Sequence, residues 1–105
     1  MAVFRGRLAT VAADGRLVVL DAASGELLHQ RDDALSSVPP LLLRDAVLYY
    51  NQAGNWMLSP IDGGEDVRWL AARWLGVPAA PAIVSGGSLF YATAERGLIR
   101  VGRRE

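Results

Sequence analysis

The chain contains no cysteine, no lysine and a single histidine. Without thiols it has neither a disulfide framework nor a thiolate metal site, and redox argument leaves its compartment open. All eleven cations are arginine and are matched by eleven acids, so the net charge is zero and no basic excess exists to hold a phosphate backbone. An arginine-only set reflects GC-rich coding, and no nucleic-acid partner is expected. No apolar leader opens the sequence, and no run approaches the roughly 20 apolar residues that span a bilayer. As written, the chain is expected to be cytoplasmic, or periplasmic if it is an excised or processed fragment. Phosphate-loop, Gly-x-Ser-x-Gly and His-Glu-x-x-His patterns are all missing. No nucleophile, base and orienting group can be assembled, so the reading is a non-enzyme with no catalytic residues, cofactor or metal.

What is present is a folded composition, 51% hydrophobic and 21% charged, organised as a repeat. Gly6 to Gly15 aligns without a gap on Asp45 to Gly54, and with one inserted residue on Gly87 to Gly97, at spacings of 39 and 42 residues. Before each lies a short apolar run, Ala2 to Phe4, Leu41 to Leu43 and Ile83 to Val84; after each lies another, Leu17 to Leu20, Trp56 to Leu58 and Leu98 to Val101. Runs of this length, rich in Val, Leu and Tyr and punctuated by Gly, Asp or Asn, predict antiparallel strands. Fourth runs follow in the first two copies, Glu26 to Arg31 after a turn at 23–25 and Asp66 to Leu70 after a turn at 62–64; the third copy stops at Arg103-Arg104-Glu105. The expected fold is all-β, with units of approximately 1–33, 34–75 and 76–105, and the last unit incomplete. Val67 to Leu75 is the one stretch whose apolar spacing also suits a helix.

Within the first copy, Val19-Leu20-Asp21-Ala22-Ala23-Ser24-Gly25-Glu26-Leu27-Leu28-His29 resembles the tryptophan-docking motif of PQQ-like (pyrroloquinoline-quinone-type) β-propeller repeats. Asp21 and Gly25 match, Ser24 replaces the usual Thr, and His29 stands where that family has Trp. The second copy keeps Trp69 but loses the Asp. The resemblance implies a β-propeller-like array of four-stranded blades, about three of them, in which Asp21 and Ser24 tie a turn and the residue at 29 or 69 packs one blade on the next. Truncating Trp69 is then expected to cost roughly 3 to 5 kcal/mol, and truncating His29 much less.

Other conspicuous residues have structural explanations. Trp56, Trp69 and Trp74, like Tyr49, Tyr50 and Tyr91, fill space between sheets. Asp32-Asp33 reads as a solvated loop, and residues 62–66 lack the alternating ligands of a calcium loop. Propellers usually close with about four to eight blades, so three leave apolar blade faces open. The expected function is a non-catalytic β-propeller module for protein interaction or scaffolding. Its partner is another protein or itself, with a dimer favoured. The resemblance offers two alternatives, a fragment of a PQQ-dependent quinoprotein dehydrogenase and a BamB-type outer-membrane assembly factor.

Overall fold

A computed structural model describes residues 2–61, 65–71, 76–79, 82–85, 88–94 and 96–101. The expected turn at 62–64, Gly87 at the start of the third aligned segment, Trp74, Arg103 and Arg104 lie outside them. The described residues form eleven strands: β1 Ala2–Phe4, β2 Arg7–Val11, β3 Leu17–Asp21, β4 Leu27–Arg31, β5 Leu41–Leu42, β6 Ala46–Tyr50, β7 Asn55–Pro60, β8 Val67–Ala71, β9 Ile83–Ser85, β10 Ser88–Thr93 and β11 Gly97–Val101. They make three antiparallel meanders, β1 to β4, β5 to β8 and β9 to β11, with every strand beside its sequence neighbour. This is an all-β arc of propeller-like blades, with no helix among the described residues. The helical alternative at 67–75 gives way to β8 as far as Ala71, and 72–75 fall outside the described residues.

Turn chemistry sets these meanders. Arg5 (φ 50°) and Gly6 (φ 76°) close a two-residue hairpin whose twist requires positive φ at both positions. The turn after the second strand of each blade is tied by a side-chain oxygen: Asp14 Oδ1 accepts from Arg16 N (3.1 Å), Asn51 Oδ1 from Asn55 N (2.9 Å) and Thr93 Oγ1 from Arg96 N (3.0 Å). The connecting segment from each of the first two blades then bridges to the end of the second strand of the next, at Asn51 just past β6 (from Ala34) and at Thr93 of β10 (from Pro78). One repeat therefore hands the chain to the next in the same way twice.

Burial follows from period-two alternation. In β6, Val47 and Tyr49 enter the core shared with the first blade, while Leu48 and Tyr50 enter the core shared with the third. This central strand is buried on both faces, which is why Ala46 to Tyr50 reads as a continuous apolar run. Ala9, Leu17 and Val19 complete the first core, and Trp56, Leu89 and Tyr91 the second.

Candidate functional site: the seams between blades

The two seams have unlike chemistry. Between the second and third blades, Trp56 of β7 lies edge-on to Tyr50 (ring centroids 5.3 Å apart) and to Tyr91 of β10 (5.4 Å). Trp56 is 0% exposed, and neither its Nε1 nor the Tyr91 hydroxyl has a well-aligned hydrogen-bond partner among the described residues. Burial pushes the Tyr91 phenol up, and the neighbouring indole draws it partly back.

Between the first and second blades lies a polar clasp. His29 and Arg31 share one face of β4 because they are two residues apart. His29 Nε2 lies 2.6 Å from Ser59 Oγ of β7, and Ser59 Oγ donates to Asp66 Oδ1 at 2.6 Å. Arg31 closes on the same carboxylate in bidentate fashion, Nε to Oδ2 at 2.9 Å and Nη2 to Oδ1 at 2.8 Å. The Tyr49 hydroxyl donates to Asp33 Oδ1 at 2.9 Å and lies 3.2 Å from Asp66 Oδ2. Blade one thus contributes His29, Arg31 and, just beyond β4, Asp33, while blade two contributes Tyr49, Ser59 and Asp66.

The clasp sets its own protonation. Burial alone pushes Asp66 up, but hydrogen bonds from Arg31 and Ser59, with the Arg31 charge, hold it below the ordinary carboxylate range. The same pairing raises Arg31. Burial, helped by the neighbouring Arg31 cation, lowers His29, so its ring is neutral. Burial and the Asp33 hydrogen bond drive Tyr49 far above the ordinary phenol value.

Serine, histidine and aspartate therefore meet here, but in an order that does not make a nucleophile. A hydroxyl has one hydrogen, and Ser59 gives it to Asp66; the His29 bond must then run from Nε2–H to the serine oxygen. An imidazole that donates to the serine cannot take its proton, as a catalytic base must. Ser59 is also fully buried. Asp33 and Asp66 are committed to Tyr49 and Arg31, and no group of three His, Cys, Asp or Glu among the described residues could hold a metal ion.

The motif residues occupy different places. Asp21 Oδ1 accepts from Ala23 N (2.9 Å) and Ser24 N (3.1 Å), Ser24 Oγ accepts from Glu26 N (3.2 Å), and Gly25 has φ 76°. Those backbone donors, Ser24 first, hold the exposed Asp21 carboxyl below its ordinary value. His29, at 7% exposed, belongs to the polar clasp, whereas Trp69 of β8 is half-buried against the aromatic core. Asp32 and Asp33 are exposed, although Asp33 reaches Tyr49. Sequence reading does not single out Arg31 or Ser59 as site residues, and Asp66 enters it as a candidate only within the 62–66 stretch weighed as a calcium loop. The available signals were the shared face of residues 29 and 31 and a small polar residue, Ser59, at an inward position just after the apolar run Trp56 to Leu58.

A further concavity of about 360 Å3 opens where the innermost strands converge, lined by Phe4 of β1, Leu41 and Leu42 of β5, Ile83 and Val84 of β9, and Arg44. It lacks the convergent polar groups that orient a small substrate.

Three stacked meanders whose seams carry packing and a closed polar network define a β-propeller arc. Among solved structures, the arc is similar to BamB from Moraxella catarrhalis, with a TM-score of 0.71 and 16% sequence identity over 99% of this chain. The chain spans 31% of the length of that protein. No protein-family model matches the sequence, and no curated protein matches it.

Proposed function

We propose that the chain is a non-catalytic β-propeller module that works as a protein-interaction scaffold through its end blades, with another protein or itself as partner and a dimer favoured. The observation that carries this reading is the patterning of the end faces. A sheet exposed on one side alternates apolar-in and polar-out. Here the side of blade one away from the first core carries Val3, Leu8, Val18 and Leu20, and the side of blade three away from the second carries Ile83, Phe90, Ala92 and Leu98. Val3, Ile83 and Leu98 are 66%, 62% and 76% exposed. These strands are patterned for cover on both sides, and apolar surface of this kind marks interaction sites. Sedimentation at micromolar concentration, with an exposed-apolar dye, tests the reading: association or dye binding is expected. A lone 11.3 kDa species that binds no dye would refute it.

A second reading, an outer-membrane assembly factor of BamB type acting on the periplasmic side, is supported by the fold similarity. No helix among the described residues is long and apolar enough to cross a membrane. Restored outer-membrane assembly in cells lacking BamB, on supplying this chain with an export signal, is the result this reading expects; failure of an exported, folded chain to restore it removes the reading.

A further inference from the structure

The repeat assigns each exposed residue of the end faces a buried counterpart inside the chain. Strand registers pair Val11 with Leu17, Tyr50 with Trp56 and Ala92 with Leu98, which makes Leu17, Trp56 and Leu98 equivalent positions facing the following blade. Leu17 and Trp56 are 0% exposed, while Leu98 is open. On faces turned to the preceding blade, Thr10, Tyr49 and Tyr91 are equivalent in the aligned repeat. The internal seams show what meets what: Trp56 contacts Tyr91, and Leu17 shares a core with Tyr49. Leu48 likewise shares a core with Leu89, and their counterparts on the free faces are Phe90 and Leu8.

Resting on the scaffold reading, we propose that the free face of blade three packs on the free face of blade one of a second copy of this chain, head to tail, as a third seam of the same geometry. Leu98 then meets Thr10 of the second copy, and Phe90 meets its Leu8. The occupant is a second copy because the described residues make three blades and two copies supply six, inside the roughly four to eight that close a propeller, with two identical seams related by a two-fold axis. Six blades leave neither apolar face open. A face-to-face pairing of two third blades would instead cover one face of each chain and leave both first-blade faces exposed.

A photoreactive benzophenone side chain at position 98 tests the register, because the equivalent internal position already holds the bulky Trp56. Irradiation should give a band of twice the chain mass, with the adduct in residues 8–16 of the second copy. Adducts within 97–101 would overturn the head-to-tail seam, as would a dimer in sedimentation that yields no adduct in 8–16. Leu98→Arg should weaken the dimer by about tenfold or more while leaving the strand circular dichroism unchanged, since this side chain is exposed in the single chain; an unaltered dimer would overturn the proposal. A chain that stays monomeric at all concentrations yet binds the apolar dye overturns the second copy as occupant but leaves the scaffold reading standing. A monomer that binds no dye overturns both.

Discussion

Asp66 is the centre of the clasp, and Asp66→Asn is its sharpest perturbation because it keeps volume while removing charge. The carboxylate accepts from Arg31 Nε and Nη2 and from Ser59, with Tyr49 at the edge of reach. Hydrogen bonds to a charged group are each worth about 1.5 to 3 kcal/mol net, but these share one acceptor and do not add. Breaking a buried ion pair costs about 3 to 5 kcal/mol, and losing an exposed one costs about 0 to 1 kcal/mol. The Arg31 and Asp66 side chains are 32% and 17% exposed, between those limits, so the expected loss is about 2 to 3 kcal/mol. Urea unfolding at fixed protein concentration measures it, since a small-protein slope of about 1 to 3 kcal/mol per molar converts the loss to a midpoint shift of about 0.7 to 3 M. Asp14→Asn is the matched control: Asp14 faces Arg16 at 3.9 Å with both side chains more than half exposed, and its removal should cost under about 0.5 kcal/mol. Equal small effects at the two positions would refute the clasp as a stabilising element.

Stability should fall in two steps on acidification. Folding lowers His29 below its reference value of 6.5, so its contribution is complete above pH 6.5 and drains as pH falls toward the folded value. Asp66 is likewise lowered from 3.8, so its contribution is present above that pH and is lost below it. Chemical denaturation across pH should show both steps, with His29→Gln removing the upper and Asp66→Asn diminishing the lower, to which Asp21 also contributes. Truncation to Ala should cost about 3 to 5 kcal/mol at Trp56, which is fully buried, and less at half-buried Trp69. His29→Ala should equal or exceed the Trp69 cost, because it leaves Ser59 short of a buried donor; urea midpoints for the three variants give the order. Gly15→Ala should destabilise more than Gly25→Ala: both glycines have positive φ, but a Cβ at 15 would come within 2.8 Å of the Ala34 carbonyl, while Gly25 has open space. Thermal melts of the pair compare a clash plus strain with strain alone.

The blade count and strand order were legible in the sequence because turn residues and apolar runs are local signals. Asp14-Gly15 and Ala53-Gly54-Asn55 mark their hairpins without reference to anything distant. The clasp was not legible, because its partners lie 30 and 35 residues apart and meet only after two sheets have stacked. Nothing around Ser59 in the sequence announces that it receives His29. The expectation that His29 would matter much less than Trp69 came from the docking motif, in which His29 stands where the repeat has Trp. His29 is the more enclosed of the two and carries a bond to Ser59 that no motif position announces.

The two seams also show why the docking motif is uneven along the chain. By strand register, Ser59 and Val101 are equivalent, each on the third strand of its blade and turned toward the preceding one. The preceding blade presents His29 in the first case and Trp69 in the second. A histidine brought into a seam requires a polar acceptor, and Ser59 supplies it with Asp66 behind; a tryptophan requires apolar surface, and Trp69 and Val101 both pack against the second core. The side chains at these places thus match in polarity within each seam, polar with polar in one and apolar with apolar in the other. The same register places Leu20 at the receiving position on the free face of blade one. It is apolar, and its cross-strand partner is Leu27, where Ser59 has Asp66 behind it, so this face is shaped to receive an apolar side chain.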